Sequence, residues 1–366
     1  MSRVWTGGHA NPLLCAAVSC ESHHMVVTGA ERGELTLWDH EGLPVSSLRL
    51  NSDNDVTCVS FSPLTPWKLY AAHGCSIGIL DSRNPNEVVS ELVDVGEEEI
   101  NCLSVNESGS LIAAADDSGA VRVVDMQTEK VIRTLRMHQN ICSSVSFRPH
   151  RPQSLVSLCN LPKVRPLWTC NLQDTEDSQP QKPGQMFNPP LAHCIDVASC
   201  GNLFACSAED GFIHLLKVSE DSRLRDRAVF KAHSKGATQA RFLNVLSQPN
   251  WLATGGNDGL VAIWDLSGNA LVSNETKSKG QRKRTKAKAR KRAEAKGICE
   301  GNQKLKEEEE DSLASCSETC GKNEPKWSVQ HGEKLNWLCP AVLKGKPSLL
   351  VVDQSPNLTV YSMDEF

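Results

Sequence analysis

Residues 254–265 read TGGNDGLVAIWD: a small-residue run, an Asn-Asp-Gly turn, an alternating strand and a closing Trp-Asp pair. Asn, Asp and Gly tolerate the positive φ that tight hairpin turns need, so the stretch predicts two antiparallel strands joined by that turn. Fainter copies stand elsewhere: TGAERGELTLWD ending at Asp39, AAHGCSIGILDS around Asp81, AAADDSGAVRVVD ending at Asp125, CSAEDGFIHLLK ending at Lys217, and LLVVDQSPNLTVYS near the C-terminal end. A pattern that recurs this way confines the chain to a repeat architecture with one period.

The period follows from the residue in the Trp position. Trp38 to Leu80 is 42 residues, Leu80 to Val124 is 44 and Leu216 to Trp264 is 48, close to the length of a four-stranded propeller blade. Val124 to Leu216 is 92, so a whole repeat lies between them. Trp264 to Tyr361 is 97, and a polar, charged segment of 57 residues at 269–325 accounts for most of the excess. Without that segment the chain has 309 residues, about 44 for each of seven blades. The expectation is an all-β, seven-bladed propeller with six blades in 1–268, a disordered basic and acidic insertion at 269–325 between blades six and seven, and blade seven in 326–366. Residues 3–7, a strand without a blade of its own, are expected to complete blade seven and so remove an exposed sheet edge.

The fourth repeat is irregular. ICSSVSF and SLVSLC supply two strands, and Trp168 stands 44 residues after Val124, yet NLPKVRPLW carries two prolines and no Gly-Asp turn. Either VRPLW takes the third-strand place or it is the outer strand and the third is missing. A polar, Pro-rich loop at 171–190 follows.

A second mark precedes the hairpins. His9, His138, His193, His233 and His331 each stand beside an apolar alternating strand, and together with the Trp-Asp endings they resemble the WD-repeat family of β-propellers. In the clearest copy His233, Thr254, Asp258 and Trp264 form a candidate hydrogen-bonded chain, because a buried imidazole and a buried indole N–H both need partners.

Catalytic motifs are missing: there is no Gly-rich phosphate loop with Lys, no G-x-S-x-G and no H-E-x-x-H, so an enzyme is not expected. No cofactor or metal is expected either. The fifteen cysteines are scattered among apolar neighbours, as in LLCAAV, VTCVSF and INCLSV, which fits small buried thiols, and Cys316 with Cys320 has no second ligand pair. No apolar run is long enough for a membrane span and the start lacks a leader pattern, so a nuclear or cytoplasmic location is the expectation.

Residues 277–296, KSKGQRKRTKAKARKRAEAK, hold eleven Lys or Arg and one Glu, a charge of +10 in a chain whose total is −5, so the remainder carries −15. A solvated block of this kind suits a nuclear-import receptor, with Arg282, Lys283, Arg284, Arg290, Lys291 and Arg292 as the contacting clusters. Nucleic acid ranks lower as a partner, since no aromatic residue interleaves the cations for base stacking.

GILDSR at 78–83 differs from the other visible repeats in having a basic residue two positions after the closing Asp. A similar Trp-Asp-x-Arg pattern marks WD-repeat substrate receptors of the cullin-4 RING ubiquitin ligase, whose Arg contacts the propeller adaptor known as damaged-DNA-binding protein. Carried over, that resemblance implies Asp81 and Arg83 as the adaptor-facing pair, with Leu80 standing where the motif has Trp. RVWTGGH at the start, residues 97–120 and 140–157, the basic insertion and HGEKLNWL at 331–338 are similar to one branch of the family over nearly the whole chain. The resemblance implies a noncatalytic interaction scaffold serving as such a receptor. The alternative is a nuclear scaffold that holds a peptide, such as a basic tail, in the mouth of an acidic propeller.

Overall fold

A computed structural model describes residues 2–364 apart from 20–24, 51–52, 137, 139–140, 159–190, 219–223, 247–249 and 268–323. Apart from one 3-10 turn at Glu31–Gly33, every regular element among the described residues is a strand. The strands form six antiparallel sheets of four and one sheet of two, each sheet built mostly from strands consecutive in the chain. The first strands of the sheets are Leu13–Val18, Val56–Phe61, Ile100–Val105, Ser144–Arg148, Ala192–Val197, Ala237–Phe242 and Leu335–Leu343. Each packs beside the next, and Leu335–Leu343 returns to Leu13–Val18, which closes a ring.

Neighbouring sheets cover one another face to face, so middle strands are buried on both sides and need no polar alternation. Val26–Ala30 and Leu203–Ala208 are buried along their whole length. Outer strands face water: Lys130–Leu135 is exposed at five of its six residues. The turns carry the geometry the repeat predicts, with Gly259 of the Asn-Asp-Gly turn at φ 72°. Gly8 has a different role, because a Cβ there would stand 2.3 Å from the Trp38 ring.

Two expectations are corrected. Six sheets, not seven, are blades of four strands; the fourth has Ser144–Arg148 paired with Arg151–Leu158, while VRPLW and Trp168 lie outside the described residues. The insertion does not separate blades six and seven either. Trp327–Gln330 pairs with Leu260–Ile263 as the outer strand of the sixth sheet, so the long segment interrupts that blade between its third and fourth strands. The pattern of that strand, half-buried Trp327 and Val329 alternating with exposed Ser328 and Gln330, is that of an edge strand covering one face. The seventh sheet therefore starts at Leu335 and not at residue 326, and Ser2–Trp5 pairs with Leu358–Ser362 as its outer strand.

Candidate functional site

The conspicuous sequence marks turn out to be structural. Trp264 Nε1–H donates to Thr254 Oγ1 at 2.9 Å, His233 Nε2 lies 2.9 Å from the same hydroxyl, and His233 Nδ1 lies 3.0 Å from Asp258 Oδ1. The carboxylate requires the proton on Nδ1, so Nε2 accepts from the threonine. All four predicted residues are thus joined, with His233 and Thr254 buried. Burial holds the His233 imidazole below its ordinary pKa, opposed by its Asp258 partner.

The first sheet repeats the device: His9 Nε2 lies 2.6 Å from Thr28 Oγ1, which also accepts from Trp38 Nε1–H at 2.7 Å. His331 uses other partners, Asp353 at 2.8 Å and the Tyr361 hydroxyl at 2.9 Å, and His138 contacts Ser157 at 2.8 Å. His193 breaks the series. It lies inside Ala192–Val197 rather than four residues ahead of a first strand, and it faces the centre of the ring. Sequence spacing could not separate it from the others, because its apolar flanks mimic theirs.

Asp81 closes the third strand of the second sheet, Ser76–Asp81, and Arg83 lies in the following turn. Asp81 Oδ1 accepts from the Arg83 backbone N–H at 2.9 Å, as Asp125 does from Gln127 and Asp265 from Ser267 at the same distance. That bond is common turn geometry. What sets the second sheet apart is the side chain: Arg83 Nε and Nη2 donate to both Asp81 oxygens at 2.9 and 2.5 Å, and the guanidinium stacks 4.6 Å from the Trp67 ring centre. The hydrogen bond from Arg83 holds the Asp81 carboxyl below the usual range. The Arg83 side chain remains 64 % exposed. Leu64 and Trp67 are exposed on the connection preceding the same sheet's second strand. A planar cation fixed on one edge and open on the other can still donate to a partner.

A third locus was not anticipated. At the start of six first strands the register slips by one residue, and the extra residue points into the ring centre. The tripeptides concerned are LLC at 13–15, VTC at 56–58, INC at 100–102, AHC at 192–194, ATQ at 237–239 and LNW at 335–337, with CSS at 142–144 in the corresponding place of the fourth sheet. Third members tie each sheet to the next: the Cys15 thiol donates to Val56 O at 3.2 Å, Leu103 N–H to Cys58 Sγ at 3.2 Å, Ile195 N–H to Ser144 Oγ at 3.2 Å, and Gln239 Nε2–H to Asn336 O at 3.1 Å. Asn336 Nδ2–H reaches Leu13 O at 2.8 Å and closes the circle. Burial pushes the Cys15 and Cys194 thiols up, so they stay protonated structural donors.

Middle members of the tripeptides, including Thr57, Asn101, His193 and Thr238, line a central cavity of about 310 Å³ together with Arg241, Lys334 and Trp337. Its signal in the sequence was an apolar–polar–Cys triplet in VTC, INC and AHC, which is faint beside the hairpins. Arg241 lies with its guanidinium 4.6 Å from the Trp337 ring centre.

Arg282, Lys283, Arg284, Arg290, Lys291 and Arg292 lie outside the described residues, as do Cys316 and Cys320. Among the described residues no three His, Cys, Asp or Glu side chains converge on a metal position, and no helix is long and apolar enough to cross a membrane.

A closed ring of antiparallel sheets, two of which carry a His–Thr–Trp chain, is a β-propeller with WD-repeat features, a fold that scaffolds protein interactions. The family of the WD domain, G-beta repeat, matches residues 225–265, the segment holding the complete His233 network, and the Anaphase-promoting complex subunit 4 WD40 domain matches 68–149. Among individual proteins the chain is similar to the WD repeat-containing protein 53 homolog of Dictyostelium discoideum, 25% identical over 74% of this chain and 82% of that protein. It also matches the Periodic tryptophan protein 2 homolog of the same organism at 22%, over 72% of this chain and 30% of that one. The E3 ubiquitin-protein ligase COP1 of Pisum sativum matches at 26%, over 64% of this chain and 32% of its own. The chain thus spans about a third of the length of the last two.

Proposed function

We propose that this propeller is a noncatalytic substrate receptor of a cullin-4 RING ubiquitin ligase, docking on the damaged-DNA-binding protein adaptor through Arg83. The observation that carries the reading is the pre-set guanidinium, clamped by Asp81, stacked on Trp67 and open to solvent. Asp81 acts as the positioning partner, since both its oxygens are engaged with Arg83. Similarity to a protein named as a ubiquitin ligase is in keeping with this, though it covers 64% of the chain at 26% identity. Substrate would then bind elsewhere on the ring, and the basic clusters at 282–284 and 290–292 would serve nuclear import.

The test is co-purification from cells of the parent chain and Arg83→Ala, probed for the adaptor, with melting curves showing equal folding. Adaptor held by the parent and lost from the variant is the expected result; adaptor on neither, with both folded, sinks the receptor reading. Unchanged nuclear content after neutralising the two basic clusters would remove the import role.

The second reading, a peptide scaffold unconnected with the ligase, draws on the central cavity. Its chemistry does not suit a basic tail: among the described residues the charged ones in the wall are Arg241 and Lys334, and no carboxylate lines it. The chain's overall negative charge lies elsewhere.

A further inference from the structure

Three polar atoms at the central cavity are buried without a hydrogen-bond partner: Arg241 Nε, His193 Nε2 and Gln239 Oε1. Such atoms are uncommon in folded proteins and mark a missing partner. All three residues line the same cavity. Gln239 is 6 % exposed and its orientation is settled, because Asn336 O can only accept and so faces Nε2, leaving Oε1 as a bare acceptor. Arg241 Nε–H is a bare donor on a guanidinium that lies over the Trp337 ring and feels the Asp196 carboxylate. Lys334 at the exposed rim adds a second cation.

Three hydroxyls of the wall do not answer these needs. Ser143 donates to Ala192 O at 2.6 Å and Thr238 to Gly255 O at 3.1 Å, and Thr57 donates to Ile100 O, so their hydrogens are spent within the ring. Asp196 is the carboxylate that acts on Arg241, and it accepts the Phe242 N–H at 2.7 Å. Burial pushes the Asp196 carboxyl up, and the Arg241 charge opposes that shift. Exposed Ile141 and half-buried Leu14 line the cavity as well, giving it a partly apolar wall beside its cations.

We propose that the cavity receives an acidic side chain of a partner peptide, its carboxylate accepting from Arg241 Nε and Lys334 while the peptide's apolar residues cover the rim. A volume of about 310 Å³ admits one or two side chains rather than a folded element. The carboxylate supplies the acceptor that Arg241 lacks, and a backbone N–H of the entering peptide supplies the donor that Gln239 lacks. This rests on the interaction-scaffold class but not on the adaptor contact, which uses Arg83 in the second sheet.

Fluorescence anisotropy with labelled peptides tests it, every third position being Glu, Gln or Lys between Gly and Leu, against the full chain. Because the basic clusters would attract acidic peptides by charge alone, a chain with Arg282, Lys283, Arg284, Arg290, Lys291 and Arg292 replaced by Ser is measured beside the parent. The Glu peptide should bind best to both. Arg241→Gln should weaken it by at least ~30-fold, the effect of truncating one side of a buried charge pair. Lys334→Gln, at the exposed rim, should weaken it by about 3- to 5-fold. Should Arg241→Gln melt early, Lys334→Gln carries the test: a parent-like melt with unchanged Glu-peptide binding overturns the proposal. Equal binding of the Lys peptide, or a Glu preference that vanishes with the basic clusters, overturns it too. Competition by free glutarate without any peptide binding would overturn the peptide as occupant. Adaptor co-purification of Lys334→Gln should match the parent, so this result stands or falls apart from the receptor reading.

Discussion

The sixth and third sheets anchor the same part of the repeat with different chemistry. In the sixth, a mostly neutral chain from Trp264 through Thr254 and His233 ends on Asp258, which also accepts the Ser234 N–H at 2.8 Å. In the third, the positions of Thr254 and Trp264 are taken by Ala114 and Val124, and buried Asp116 does the anchoring. Asp116 accepts from Glu97 N–H at 3.0 Å and Ala120 N–H at 3.1 Å and pairs with Arg122. Arg122 reaches Glu97 at 3.0 Å, and Arg136 holds Glu97 in turn through Nη1 at 2.8 Å. The Arg136 hydrogen bond, aided by Arg122, brings the Glu97 carboxyl down to about 2. A loop that must stay fixed over a buried strand end can thus be held by hydrogen bonds or by ions, and the ionic form leaves no WD-repeat mark in the sequence.

The two anchors should fail differently. Arg122→Met strips the cation from Asp116 and leaves a buried carboxylate uncompensated, an expected loss of about 3–5 kcal/mol by denaturant unfolding. Adding Asp116→Asn should restore more than half of it; no restoration would mean that the ion pair is not what holds this loop. In the sixth sheet Thr254→Val leaves the Trp264 indole N–H and His233 Nε2 unpaired at nearly constant volume, with an expected loss of about 1–3 kcal/mol. A loss as large as that of Arg122→Met would erase the distinction between the anchors.

Acid should sharpen the contrast. Burial holds His9 and His138 at about 4, against an ordinary 6.5. Between those values the unfolded chain binds protons that the folded chain refuses, so stability falls as pH drops from about 6.5 toward 4, by at most about 1.4 kcal/mol per pH unit for each histidine. His9→Gln should flatten part of that slope near pH 6, where Arg122→Met should leave it intact; nearer pH 4 the Glu97 carboxylate, held down partly by Arg122, takes part as well. Asp258, which takes its lowering partly from the His233 hydrogen bond against the opposing effect of burial, adds its own loss only below its ordinary carboxylate range. The smallest effect belongs to Arg83→Ala, whose melting should be nearly that of the parent, since the exposed Asp81 pair contributes little to stability. A larger change would make Arg83 a structural residue and weaken its assignment to a partner.

Much of this molecule was legible in the sequence because hairpins are local. The Asn-Asp-Gly turn, the period near 44 and the Trp264 network all lie within one repeat, where spacing alone brings Thr254 and Trp264 together as strand neighbours. The blade count and the place of the insertion were less legible, because Trp327 joins Ile263 across a long connection that carries no spacing information. Arg83 was visible as an anomaly, yet its stacking on Trp67 depends on a connection from the preceding loop.

By itself, then, the sequence determined the repeat, its strands and the polar chain inside the clearest blade, all set by contacts between residues a few tens of positions apart. Only the closed ring decided the central cavity. Gln239 meets Asn336 across 97 positions and Asn336 meets Leu13 across 323, so neither contact exists until every sheet has found its neighbour. Arg241, Gln239 and His193 acquire their common environment, and their bare polar atoms, from that closure alone.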